Sequence, residues 1–120
     1  MSTDYRIISQ QSHQRPRKQA SEVLNVRCDF RDVLHPNELM TGTPTITEVT
    51  TSDLTLTNKA ISNTELMILG EIVGIGEAVT FTLAGGSAST DYKLQVQIGT
   101  DATNAQTLRA ILEIRVNPDT

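Results

Sequence analysis

Aromatic residues are scarce in this 120-residue chain, which has two Tyr, two Phe and no Trp. Its core must therefore rest on Leu, Ile and Val. A carbohydrate-binding module, which presents aromatic platforms, fits it poorly. Cysteine occurs once, at Cys28, so no internal disulfide can form, and the chain suits a reducing cytoplasm. One Cys with the distant His13 and His35 cannot assemble a zinc site. No apolar run approaches the ~20 residues needed to cross a bilayer as a helix. The N-terminus also shows no apolar signal-peptide region. Basic residues are outnumbered, giving a formal net charge of −4, whereas a nucleic-acid binder carries a basic face.

What is present is strict alternation of polar and apolar residues. Leu24, Val26, Cys28 and Phe30 alternate with Asn25, Arg27, Asp29 and Arg31. The same pattern holds for Val79, Phe81 and Leu83, for Leu94, Val96 and Ile98, and for Leu108, Ala110, Leu112, Ile114 and Val116. Successive strand residues face opposite sides, so each run gives a sheet one dry face and one wet face. Several such strands in a chain of one-domain length predict antiparallel sheets packed dry face to dry face. The expected strands are about Glu22–Phe30, Pro44–Val49, Leu54–Thr57, Ala60–Ile68, Glu77–Leu83, Asp91–Thr100 and Thr107–Val116. Turns are expected at His35-Pro36-Asn37 and Asn58-Lys59. Residues 64–76 are apolar on both faces. The spacing of Leu66, Met67, Leu69 and Ile72 allows a short helix, but Gly70, Gly74 and Gly76 disfavour a long one, and a strand with a glycine-rich bend is the preferred reading.

The first twenty residues read differently. Arg6, Arg15, Arg17 and Lys18 face a single acid, Asp4, for a charge of +3, while the remainder carries −7. The expected organisation is an extended N-terminal arm over residues 1–20 and a sandwich over 21–120. A segment this polar cannot bury enough apolar surface to hold its own shape. The reading is a tether that orders on a partner, with Tyr5, Arg6, Ile7 and Ile8 positioned to add to a neighbouring sheet edge. Together with Arg15, Arg17 and Lys18 in the arm, and Leu66, Met67, Ile72 and Ile75 in the apolar stretch, these are the candidate partner-binding residues.

No catalytic constellation accompanies the strands. Gly74-Ile75-Gly76 and Gly85-Gly86 lack the form of a phosphate loop or a dinucleotide fingerprint. Asp101 and Asn104 suit a hairpin loop better than a calcium site with its six or more oxygens. There is no Gly-x-Ser-x-Gly elbow. Cys28 has no neighbouring base and falls on the apolar side of its strand, as a core residue would. No catalytic residue, metal ligand or cofactor is expected. One local pattern carries fold information. Tyr92 stands two residues before the inward Leu94, the spacing of a tyrosine corner whose hydroxyl bonds to nearby backbone.

Over about residues 21–117 the chain resembles the fibre–tail adaptor proteins of tailed phages. The resemblance lies in the alternating first strand Leu24–Phe30 and the acidic turn Asp32-Val33-Leu34. It continues in Phe81-Thr82-Leu83-Ala84-Gly85-Gly86, the Tyr-led strand Tyr92–Val96 and the closing Leu112-Glu113-Ile114-Arg115-Val116. Family members commonly carry Trp around the acidic turn, where this chain has Phe30 and Leu34. The resemblance implies an immunoglobulin-like β-sandwich acting as a non-enzymatic virion part, assembled in the host cytoplasm and bound to tail, neck or fibre proteins in multiple copies. No nucleic-acid or membrane partner is expected. The alternative is a capsid decoration or cement protein threaded across capsid subunits.

Overall fold

A computed structural model of the chain describes residues 2–6, 17–34, 38–49, 53–101 and 107–118. Among these residues ten strands occur, in the order β1 (Ser2–Arg6), β2 (Arg17–Gln19), β3 (Leu24–Asp29), β4 (Met40–Glu48), β5 (Leu54–Ile61), β6 (Leu66–Ile68), β7 (Glu71–Val73), β8 (Ala78–Gly85), β9 (Thr90–Thr100) and β10 (Thr107–Asn117). One sheet runs β1-β3-β8-β5 and a second runs β2-β10-β9-β4, while β6 and β7 form a separate hairpin. The protein is all-β, and its two four-stranded sheets pack as a sandwich. Among the described residues one 3₁₀ turn occurs, Arg31–Val33, after β3, and it contains Asp32 and Val33 of the expected acidic turn.

The alternating runs set the packing. Leu24, Val26, Cys28, Val79, Phe81 and Leu83 turn inward from the first sheet. Tyr92, Leu94, Val96, Ile98 and the even-numbered residues Leu108 to Val116 meet them from the second. β9 and β10 pair antiparallel over Thr107↔Gly99 to Val116↔Thr90, which keeps every inward residue in phase.

Two expectations are corrected by the strand geometry. Asn58-Lys59 is not a turn. β5 runs through it to Ile61 with a register shift between Thr57 and Ala60, and Asn58 takes φ 54° there. That is a β-bulge, with the extra residues left out of the ladder. β4 does not begin after Pro44 but at Met40, and its pairing with β9 slips between Thr41 and Thr45. An edge strand tolerates a proline at such an irregularity because no ladder N–H is required. The expected turn at residues 35–37, His13, and most of the 101–105 loop lie outside the described residues.

Both strands of the N-terminal segment run parallel to their partners. β1 pairs with β3, Tyr5 opposite Cys28, and β2 pairs with β10, Lys18 opposite Val116. The segment thus contributes one strand to each sheet. Tyr5 is 1% exposed, and its hydroxyl crosses to the second sheet to donate to the Glu113 carbonyl at 3.1 Å. From the other side, Tyr92 donates to Asp53 Oδ2 at 2.9 Å and accepts the Ser87 N–H at 2.7 Å. This is the tyrosine-corner contact, with the phenol as acceptor of the backbone bond. Gly86, at φ 100°, permits it, since a Cβ there would lie 3.0 Å from both Leu54 and Val116 and 3.3 Å from Tyr92.

Tyr92→Phe should lower the unfolding free energy by about 1 kcal/mol, the net value of a hydrogen bond. An unchanged denaturation midpoint would reject the corner's role. Alkaline pH provides a second prediction. Burial pushes the Cys28 thiol well above its ordinary range, and the Asp4 charge adds to the effect. Burial likewise raises Tyr5, with a smaller contribution from Cys28. The unfolded thiol ionises above about pH 8.5 and the unfolded phenol above about pH 10, while the folded groups keep their protons. The native state then holds more protons than the unfolded one, so stability falls as pH rises, by about 1.4 kcal/mol per pH unit for each group. Urea unfolding of Cys28→Ala should lose the slope that begins near pH 8.5. A slope equal to that of the unsubstituted protein would refute the assignment.

Candidate docking surface

The β6–β7 hairpin stands at one end of the sandwich. Backbone bonds root its base there, among them Gly76 N–H to the Ser62 carbonyl at 3.0 Å. Phe30 N–H, after β3, bonds to the Glu77 carbonyl, Met40 N–H of β4 to the Gly76 carbonyl, and Ser62 N–H, after β5, to the Ala78 carbonyl, at 2.8–3.0 Å. Leu66↔Val73, Met67↔Ile72 and Ile68↔Glu71 are its paired residues. Ile68 and Val73 turn inward onto Ala78, with Leu66 half-buried beside them. By the alternation of a strand, Met67 and Ile72 then point outward together.

Arg31 fastens the hairpin to the body. Its guanidinium binds both oxygens of the buried Asp29 at 2.8–3.2 Å and also reaches the Glu71 carboxylate and, at 3.0 Å, the Ile72 carbonyl. The hydrogen bond with Asp29 is the main reason the guanidinium is held even more firmly charged than usual. A buried carboxylate and a strand carbonyl are thereby satisfied by one planar cation, which a lysine could not match in geometry.

The outward face is apolar. Met67 is 56% exposed, Leu69 49%, Ile72 60% and Ile75 59%, and Leu39 joins them at the base, where it lies over Gly76. The hairpin tip is unusual. Leu69 and Gly70 both take positive φ, 50° and 80°, as a two-residue I′ turn requires. Asn or Asp is the favoured first residue of such a turn, whereas a leucine in the left-handed region is strained by about 1–2 kcal/mol. An exposed apolar side chain is therefore held at the tip against local preference. Strain of this kind concentrates where a side chain serves a binding role.

The other candidate residues are distributed differently. Tyr5 is a core residue, so the expected aromatic anchor of a partner contact is engaged within its own sandwich. All four aromatic residues of the chain are buried there. Lys18 is 1% exposed and donates to the carbonyls of Gln19, Ala20 and Gly85 at 2.8–3.0 Å, tying β2 to the end of β8. Arg6 and Arg17 lie in β1 and β2, and Ile7, Ile8 and Arg15 fall outside the described residues. Leu66, Met67, Ile72 and Ile75 are brought together on or beside the hairpin. Leu69 lies within the apolar stretch but was not singled out in the sequence, and Leu39 and Arg31 were missed. Leu69 had a signal, since it stands before Gly70 between the apolar runs Leu66-Met67-Ile68 and Ile72-Val73.

Elsewhere, an open trough of about 300 Å³ on the outer face of the first sheet is lined by Asn25, Arg27, Asn58, Thr80 and Thr82 among others. Its arginine is committed to Asp4 through two bonds of 2.8 and 2.9 Å. Among the described residues no three His, Cys, Asp or Glu gather to hold a metal ion.

The family model of the podophage GP4 fiber-tail adaptor protein gp77 matches residues 18–113, from β2 through most of β10. The chain belongs to this family. No curated protein matches it. The apolar hairpin and, in whole or large part, every strand from β2 to β10 of this fibre–tail adaptor thus lie within the family match, whereas β1 lies outside it. Family membership makes it a structural component of the phage virion whose partners are other tail and fibre proteins.

Leu69→Asn should raise the stability of this adaptor by about 1 kcal/mol by relieving the turn. Thermal unfolding measures it. A destabilised Asn variant would mean that Leu69 is held in place by packing within the chain and is not strained for an external purpose.

Proposed function

We propose that the protein is a non-enzymatic connector that fixes fibres to the phage tail through protein–protein contacts, with the apolar hairpin end as a docking face. The observation that carries this reading is the tip of that hairpin, where an exposed leucine is kept in a backbone conformation suited to asparagine. Met67, Ile72 and Ile75 serve the contact, with Leu39 and Leu69 completing it, while the expected Leu66 packs inward behind them. Burying such side chains against a partner yields on the order of 1.5–3 kcal/mol each. The rigid sandwich behind them limits the entropy lost on docking.

The strand order supports an immunoglobulin-like reading of the sandwich. β1-β3-β8-β5 against β10-β9-β4 corresponds to the order ABED against GFC, with Tyr92 at the expected corner. β1 departs from that plan by running parallel to β3. The apolar hairpin is an insertion between the fourth and fifth strands of the plan. Residues 32–92 hold eight acids against one lysine and no arginine, which disfavours nucleic acid as a partner.

The test is assembly of particles from a phage carrying Met67→Asp together with Ile72→Asp. Both positions are exposed, so the variant should fold as the unsubstituted protein does. It should be absent from purified particles, and the particles should lack fibres. Wild-type levels of the variant in fibre-bearing tails would overturn the reading. Recovery of the unsubstituted protein on empty heads and not on tails would point instead to capsid decoration.

A further inference from the structure

We propose that the outer edge of β3 is a strand-acceptor site for an extended segment that bears a carboxylate followed by an aromatic residue. β1 fills this site as a detachable occupant, and such a segment of a partner protein replaces it. The site is separate from the apolar hairpin end and gives the adaptor a second docking surface.

β1 lies outermost in the sheet β1-β3-β8-β5. Its ladder to β3 runs parallel over Ser2↔Asn25 to Arg6↔Asp29, whereas β3 pairs with β8 and β8 with β5 antiparallel. The family match includes β3, β8 and β5 but begins at residue 18. The matched part of this sheet therefore ends at β3, and β1 is laid onto that edge. A strand added in this way gains affinity from main-chain bonds along the ladder, while side chains alternating across the edge give specificity. Two neighbouring side chains of β1 are read in this manner. On the outer face, Arg27 donates from Nε and Nη2 to the two oxygens of Asp4 at 2.8 and 2.9 Å. A two-pronged guanidinium contact of this geometry selects a carboxylate. On the inner face, Tyr5 sits opposite Cys28, is 1% exposed and donates to the Glu113 carbonyl at 3.1 Å. The socket thus takes an aromatic ring and satisfies a hydroxyl at its tip. Arg27, Cys28 and Glu113 all fall within the family match, although the strand they hold does not.

The occupant is detachable because its hold is one-sided. β1 packs along β3 and touches β6, and its one ladder is parallel, the less stable kind. Elements held by few neighbours open at a lower free energy than the whole domain. The core strand pairs β3–β8 and β9–β10 do not involve β1, so both outlast its departure. The chain also carries its own reporter of that opening. Cys28, its single thiol, is fully buried beside Tyr5, and loss of β1 uncovers it while β3 stays paired with β8.

In the full-length protein without denaturant, a thiol reagent should modify Cys28 at a rate that stays flat at low urea, because β1 opens without the rest of the domain. Full-length Tyr5→Ala should be modified at least ~10-fold faster, with an unchanged circular dichroism spectrum. The end-blocked peptide Ser-Thr-Asp-Tyr-Arg, added to that variant, should slow the modification again. Peptides with Ala in place of Tyr, or Lys in place of Asp, should not. Adding Arg27→Glu to Tyr5→Ala should abolish protection by the first peptide, and the peptide with Lys in place of Asp should restore it. If Cys28 of the unsubstituted protein reacts only as the whole domain unfolds, with the urea dependence of the circular dichroism signal, β1 is not detachable and the proposal fails. It fails equally if the peptides protect alike or not at all. A modification rate that falls as protein concentration rises would overturn the foreign segment as occupant, because the strand would then come from a second copy. None of these readouts involves Met67 or Ile72, so the reading of the hairpin stands or falls separately.

Discussion

The structure depends on one dry seam, in which two four-stranded sheets bury their inward residues against each other. Leu, Ile and Val supply most of that seam, and its few aromatic residues are spent on fastening it. Each sheet sends one tyrosine through the core to bond on the far side, Tyr5 to the Glu113 carbonyl and Tyr92 to Asp53 and the Ser87 amide. Lys18 makes a third crossing through its bond to the Gly85 carbonyl, with the Gln19 and Ala20 carbonyls of its own segment completing its shell. Buried polar groups of this kind must be satisfied, and no buried side-chain nitrogen or oxygen among the described residues lacks a partner. They restrict how the two layers slide, which apolar packing alone does weakly.

That rigidity lets the opposite requirement be met at one end. The hairpin exposes Met67, Leu69, Ile72 and Ile75 while its own small core of Ile68, Val73 and Ala78 stays buried. Arg31 binds this element to the sandwich through a buried carboxylate, so the exposed face is presented by a fixed support. In an adaptor family, a stiff block with one apolar end is a sensible division of labour. The local rules of folding are broken at the turn, where Leu69 takes a left-handed backbone conformation and stays exposed.

Much of the fold was legible because its signal is local. The strands β3, β8, β9 and β10 alternate with period two, and each was bounded in the sequence to within a residue or two of its observed limits. What was illegible depended on tertiary partners. Lys18 and Tyr5 look like solvent and interface residues in a polar arm, and nothing local announces the carbonyl cage at Gly85 or the socket beside Cys28. The bulge at Asn58 imitates a turn because the same residue types suit both. At the proposed docking face, the apolar run over residues 64–76 marked the region, but its period was ambiguous. Only the pairing of Met67 with Ile72 decides which side chains face outward.

The parallel placement of the first two strands has a consequence for biosynthesis. β1 is made before its neighbour β3, which must itself be flanked by β8, about fifty residues later. The partner of β2 is β10, made about ninety residues after it. Both segments therefore wait for distant strands before their ladders exist. Closure of the sandwich comes late, when an early-made segment locks the two layers together, and a chain stopped before β10 has no layer on which to seat β2.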